Sequence, residues 1–224
     1  EVSVGRPYEA TDGFNAGRFY LYPVRDGSPI YTVQGYTNLE AGYSLASFTD
    51  ATGDALPDFA IGMPSGTVSN APAGKVVIVS GADFSITETI EGEVFQDYFG
   101  ESIANMGDVT GDGLEDIVIG APFTGASNNG TVYAYRSDGE RIWSANGSYA
   151  SWFGREVAGA GDVDNDGTPD VIAGAPIAGV SEFSANGQIR VLSGKDGSVL
   201  TSITGSTSGE NYGSAVYGGV DVDQ

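Results

Sequence analysis

Cysteine and histidine are both absent from this chain. With them go disulfides, thiolate chemistry and every Ser-His-Asp or Cys-His constellation. Zinc and copper sites lose their preferred ligands as well. The lack of cysteine fits any compartment and does not exclude export. Basic residues are scarce: 9 Lys and Arg stand against 30 Asp and Glu, for a formal charge of −21. Such a surface repels a nucleic-acid backbone and an anionic membrane, so neither is expected as a partner. No apolar run approaches the roughly 20 residues of a membrane span, and no membrane insertion is expected. No signal peptide is visible, and Glu1 in place of Met suggests a start after processing or trimming. Gly is abundant at 35 residues, but without the three-residue period of collagen.

What is present is one short acidic loop, repeated. Its fullest copies are Asp162-Val-Asp164-Asn-Asp166-Gly167-Thr168-Pro-Asp170 and Asp108-Val-Thr110-Gly-Asp112-Gly113-Leu114-Glu-Asp116. A looser copy is Asp50-Ala-Thr52-Gly-Asp54-Ala55-Leu56-Pro-Asp58, and a fourth begins at Asp221-Val-Asp223-Gln224. Oxygen side chains fall at positions one, three, five and nine, and position seven offers a backbone carbonyl. A hard cation such as Ca2+ needs six to eight oxygens at roughly 2.3–2.6 Å, gathered by a tight turn. The candidate ligands are therefore Asp50, Thr52, Asp54, Leu56 and Asp58; Asp108, Thr110, Asp112, Leu114 and Asp116; and Asp162, Asp164, Asp166, Thr168 and Asp170. Thr110 in place of Asp lowers the charge of its loop, so weaker binding is expected there. Ala55 stands where the turn calls for Gly. The competing reading is that these are Asp-Gly-rich turns without metal. An EF-hand is excluded, because Ala173 occupies the twelfth position and no helical periodicity flanks the loop.

The first Asp of each loop falls at 50, 108, 162 and 221, a period of about 54 to 59 residues. After each full loop comes an apolar run closed by Gly-x-Pro: Phe59–Pro64, Ile117–Pro122 and Val171–Pro176, with Val2–Pro7 as a fourth. Alternating strands follow at 17–22, 74–79, 130–135 and 187–192. Asp26-Gly27, Asp138-Gly139 and Asp196-Gly197 mark hairpin turns. Closing strands are expected at 30–33, 141–143 and 199–203, and a further strand, such as 102–106, leads into the next loop. Four short antiparallel strands per period point to an all-β fold, a β-propeller of four-stranded blades. No linker is visible. The expected division is a partial blade at 1–40, blades at 41–97, 98–151 and 152–210, and the start of another at 211–224.

Tyr98-Phe99-Gly100 opens one period and Gly120-Ala121-Pro122 follows its acidic loop; Trp152-Phe153-Gly154 and Gly174-Ala175-Pro176 repeat the order. This resembles the FG-GAP repeat of integrin alpha-subunit propellers and of many microbial surface proteins, over essentially the whole chain. The period opening near residue 41 departs, with Ala41-Gly42-Tyr43 and Gly62-Met63-Pro64. The resemblance implies that calcium loops join the first and second strands on one face. It also implies that a protein or glycan partner is met on the other, built from 8–16, 65–73, 123–129 and 177–186 with the connections near 93–98, 148–152 and 206–212. It implies an extracellular or cell-surface location and a role in adhesion or recognition.

Catalysis is not expected, and no catalytic residue is assigned. Lys75 and Lys195 follow glycines but lie outside any phosphate-binding Gly-x4-Gly-Lys pattern, and most Asp residues are claimed by the loops. Tyr8, Phe14, Phe123, Tyr149 and Phe183 sit in variable loops, where they either pack blades or stack on a ligand. Phe99 and Phe153 are assigned to packing. Asn129-Gly-Thr131 and Asn146-Gly-Ser148 match the glycosylation pattern and equally read as Asn-Gly turns. The two ends frame one calcium loop. Three arrangements fit: a segment of a longer propeller, a closed four-bladed ring, or blades completed between copies by self-association. An accessory domain of a larger surface enzyme is a further alternative.

Overall fold

The computed structural model describes residues 2–10, 13–22, 27–35, 39–68, 71–181 and 184–218. Glu1, Asp26, Phe183 and the loop beginning at Asp221 lie outside the described residues. Among the described residues every regular element is a strand.

The first sheet holds β1 (Val2–Arg6), β2 (Arg18–Tyr22) and β3 (Tyr31–Gln34). The second holds β4 (Ser44–Phe48) and β5 (Asp58–Met63). A small hairpin of β6 (Thr67–Val68) and β7 (Ala71–Pro72) follows, then β8 (Lys75–Val79) and β9 (Ile86–Glu91). The third holds β10 (Ser102–Gly107), β11 (Asp116–Ala121), β12 (Thr131–Tyr135) and β13 (Arg141–Asn146). The fourth holds β14 (Glu156–Gly161) and β15 (Asp170–Ala175). Another small hairpin, β16 (Gly179–Ser181) and β17 (Ser184–Ala185), precedes β18 (Gln188–Leu192) and β19 (Val199–Thr204). Sheet orders are β1-β2-β3, β4-β5-β8-β9, β10-β11-β12-β13 and β14-β15-β18-β19, antiparallel throughout. These are propeller blades, and the first strands β4, β10 and β14 pack side by side. Among the described residues β1 pairs only with β2, and 213–218 form no strand.

The core lies between sheets, because alternate residues of a strand face opposite neighbours. Val77 and Val79 of β8 join Phe19 and Leu21 of the first sheet, whereas Val76 and Ile78 join Ile117, Ile119 and Phe99. Val118, Val132 and Ala134 turn the other way, to Phe153, Val171 and Leu192. Phe99 and Phe153 are 1% and 0% exposed, as their packing assignment requires. Each such aromatic contributes about 1.5–3 kcal/mol through burial. The outward face of β19 lacks this cover: all six of its residues are exposed.

Two backbone devices recur at the blade junctions. Gly17, Gly74, Gly130 and Gly187 bridge in parallel to Ala41, Phe99, Phe153 and Tyr212 of the next blade. At Gly130 φ is +79°, and a Cβ there would stand 2.1 Å from the Phe153 carbonyl oxygen, so no larger residue fits. The residue before each of these bridged positions also adopts positive φ: Glu40 at 54°, Tyr98 at 58°, Trp152 at 54° and Asn211 at 52°. Such angles are costly for large residues. Their recurrence shows that the junction imposes them.

Candidate metal centres

Each acidic loop joins the first and second strands of a blade, and the three share one backbone conformation. Positions four and six have positive φ throughout: Gly53 and Ala55, Gly111 and Gly113, Asn165 and Gly167. The first Asp organises the turn. Asp50 accepts the N–H of Gly53 at 2.6 Å and of Ala55 at 2.9 Å; Asp108 accepts Gly111 at 2.7 Å and Gly113 at 2.9 Å. Asp162 accepts Asp166 at 3.0 Å and Gly167 at 2.9 Å.

The ninth residue forms the floor. Asp58, Asp116 and Asp170 are fully buried. One oxygen of each accepts the position-two N–H, from Ala51, Val109 or Val163, at 2.7–2.9 Å. The other oxygen accepts Gly81 N–H at 2.9 Å in the second blade and Gly194 N–H at 3.1 Å in the fourth. In the third blade the turn between β12 and β13 spans only 136–140, against 80–85 and 193–198, and none of its N–H groups reaches Asp116. Asp116 Oδ1 is therefore buried without a partner, and burial pushes its carboxyl up to about 6.

The carboxylates converge in two of the three loops. Asp50, Asp54 and Asp58 offer oxygens within 4.8 Å of one another, as do Asp162, Asp164 and Asp166. Two oxygens bound to one Ca2+ lie at most about 5 Å apart, so both groups fit that ion. Thr52 Oγ1, at position three, is buried without a hydrogen bond of good geometry, an acceptor left over for a ligand. The structure brings Asp164 to Asp162 and Asp166, and holds Asp170 beneath them on amide donors. Leu56, Leu114 and Thr168 donate their N–H groups to the position-five carboxylates at 2.8–2.9 Å.

Position five separates the loops further, through a residue that the sequence reading did not single out. The second oxygen of Asp54 accepts Ser80 Oγ–H at 2.8 Å. That of Asp112 pairs with Arg136 Nη2 at 3.0 Å. That of Asp166 makes no hydrogen bond among the described residues. Ser80, Arg136 and Ser193 each directly follow the third strand of their blade. Aligning the periods there would have exposed the odd arginine.

The opposite end carries the other candidate surface. Tyr98, Phe123 and Trp152 form an edge-to-face ladder with centroid spacings of 5.0 and 5.2 Å across the connections entering the third and fourth blades. Tyr8, Phe14 and Tyr149 are exposed, so of the two roles open to them packing between blades is not the one they take. Beside the ladder Arg155 is ion-paired with the buried Glu101. Burial pushes the Glu101 carboxyl up, against the pull of Arg155. Asn129 Oδ1 accepts the Ala150 N–H at 3.3 Å and Asn146 Oδ1 the Thr131 hydroxyl at 3.0 Å, so both asparagine side chains are engaged in loop structure.

Residues 108–173 match the family described as FG-GAP-like repeat. The chain is 30% identical over 207 residues to integrin alpha-8 of Mus musculus, covering 84% of this chain and 19% of that protein. It is 34% identical over 181 residues to integrin alpha-V of Gallus gallus, covering 71% and 17%. This chain belongs to the FG-GAP repeat propeller family. Integrin alpha-PS2 of Drosophila melanogaster is 31% identical over 207 residues, covering 81% and 14%. The propeller thus spans about a fifth of the length of the first two relatives. No helix among the described residues is long and apolar enough to cross a membrane.

Proposed function

We propose that this chain is a calcium-stabilised, non-enzymatic recognition propeller of an extracellular or cell-surface protein. It takes a protein or glycan partner on the face opposite the acidic loops. The observation that carries the calcium reading is the convergence of Asp162, Asp164 and Asp166 in a loop whose turn is already folded by amides that donate to the Asp162 carboxylate. The ion would offset repulsion among clustered carboxylates and brace the link between the first and second strands. With its ligands supplied within the loop, its role is structural. Recognition falls to the other end, where the Tyr98–Phe123–Trp152 ladder offers aromatic edges. Similarity to integrin alpha subunits supports adhesion as the setting.

The test is a calcium titration with thermal melts of the chain and of Asp166→Ala. The variant should lose affinity and calcium-dependent thermal gain, and unchanged values for both would remove the site. For the recognition face, Phe123→Ala should weaken capture on a panel of matrix proteins and glycans without lowering calcium affinity. A second reading, assembly between copies, is favoured by the exposed Val199, Leu200 and Ile203 on β19. Light scattering in millimolar calcium separates the two: a mass near 23.0 kDa supports recognition by a monomer, and a multiple supports assembly.

A further inference from the structure

The three acidic loops share a backbone but not a charge environment. Loop 162–170 has four aspartates at positions one, three, five and nine, and loop 108–116 has three. Among the described residues only the latter is ion-paired with a cation of the chain itself. Arg136 Nη2 stands 3.0 Å from Asp112 Oδ2 and 3.0 Å from Asp138 Oδ2, so one guanidinium bridges the loop and the turn after β12. Its Nε is buried without a hydrogen-bond partner. The turn itself is anchored, with Arg136 N–H donating to the Glu140 carbonyl at 2.8 Å and Gly139 N–H to the Arg136 carbonyl at 3.0 Å. The turn's backbone is thus fixed, and the guanidinium is held at the loop by its ion pairs with Asp112 and Asp138. In the second blade the same place holds the neutral Ser80 hydroxyl.

We propose that Arg136 is a built-in counter-cation for loop 108–116, which therefore keeps its fold without calcium and binds the ion last of the three. The inference rests on the calcium reading of the acidic loops given above. A divalent ion entering this loop must share Asp112 with a fixed positive charge a few ångströms away. It gains less attraction here than in loop 162–170 and meets repulsion from Arg136 that has no counterpart at the other loops among the described residues. The FG-GAP blade then has two kinds of acidic loop, one metal-dependent and one neutralised from within. Calcium withdrawal would loosen the fourth blade before the third.

The experiment is calorimetric titration of the full 224-residue chain with calcium chloride, for wild type, Arg136→Ser, Arg136→Lys and Asp166→Ala. Serine is the residue that the second and fourth blades carry at this place. Arg136→Ser should tighten the weakest binding step by about tenfold, while Arg136→Lys, which keeps the charge, should stay near wild type. Asp166→Ala should lose the strong step and keep the weak one. Wild-type behaviour of Arg136→Ser, with the strong step intact, would overturn the proposal and leave the calcium reading standing. Equal tightening in Arg136→Lys would also overturn it, because shape and not charge would then be at work. No calcium binding by any of the four proteins would overturn both readings together.

Discussion

The indole N–H of Trp143, on the third blade, donates a 2.6 Å hydrogen bond to the Gly194 carbonyl in the β18–β19 turn of the fourth. Trp143 is only 7% exposed and its ring lies against Gly197, where an added Cβ would stand 2.7 Å from it. The first two blades make the equivalent contact with other residues. Tyr31 of β3 stacks on Phe84 at 4.6 Å and donates its hydroxyl hydrogen to the Phe84 carbonyl at 2.6 Å. Trp143→Phe keeps most of the ring and strands the carbonyl, so it should cost about 1–3 kcal/mol. Trp143→Ala should cost about 3–5 kcal/mol. Urea unfolding in saturating calcium reads both. A Trp143→Phe loss below about 0.5 kcal/mol would mean that the bond contributes little.

Ala55 adopts φ of +63° at the loop position that Gly113 and Gly167 fill at +90° and +91°. An L-residue in that region costs about 1–2 kcal/mol, partly offset by the greater unfolded-state freedom of glycine. Ala55→Gly should therefore stabilise the chain by about 1 kcal/mol, or about 2–4 °C in melting temperature at this size. Gly167→Ala should do the reverse. Differential scanning calorimetry of both variants checks the pair, and a destabilising Ala55→Gly would refute the strain argument.

Asp97 is 1% exposed beneath the aromatic ladder. Its Oδ1 accepts the Phe99 N–H at 3.2 Å, and its Oδ2 has no partner. Burial pushes its carboxyl up to about 6, and nearby Glu93 adds to the rise. Tyr133 and Tyr135 face the same space, their hydroxyl pKa values also raised by burial, and Arg141 lies on Glu93 at 2.9 Å. In the unfolded chain Asp ionises near 3.9, so between about 4 and 6 the folded state binds more protons. Stability from this group is present at low pH, falls as pH rises through that window and is flat above it. Asp97→Asn should remove this part of the slope. Relative to wild type, the variant should melt higher at pH 7.5 and nearly the same at pH 4. A constant offset across the range would show that ionisation of Asp97 is not the cause.

The strands and the places of the acidic loops were legible because both recur at one period. The apolar runs 59–63, 117–121 and 171–175 became β5, β11 and β15, buried on both faces as their composition implies. Turns marked by Asp-Gly were legible at 138–139 and 196–197. The equivalent turn at 80–85 was not, because Phe84 takes the positive φ, 62°, that glycine signals elsewhere. Its stacking partner Tyr31 lies 53 residues away and enters no local pattern. The hairpins β6–β7 and β16–β17 were hidden in loops read only as variable. The same limit applies to the acidic loops. Residue types gave the oxygens, but the partners that set them apart, Ser80 and Arg136, come from a different strand connection.

Glu115, at position eight of its loop, joins two neighbouring loops. Its N–H donates to the Asp50 carbonyl at 3.1 Å. Its Oε2 accepts the N–H of Thr49 and, at 3.4 Å, of Asp50. Loop 108–116 of the third blade thus holds the entry to loop 50–58 of the second. Pro169, at position eight of the fourth blade, instead lies against Gly107 beside the third blade's loop. Removing the carboxylate leaves the two amides to solvent and frees the approach to Asp50. Glu115→Ala should cost about 1 kcal/mol, since the contact is partly exposed. It should also weaken calcium binding at loop 50–58 without changing the step lost in Asp166→Ala. Hydrogen exchange localises the effect: protection at Thr49 and Asp50 should fall while that at 162–167 stays. Unchanged exchange at those two amides would show that the loops are held independently, each by its own blade.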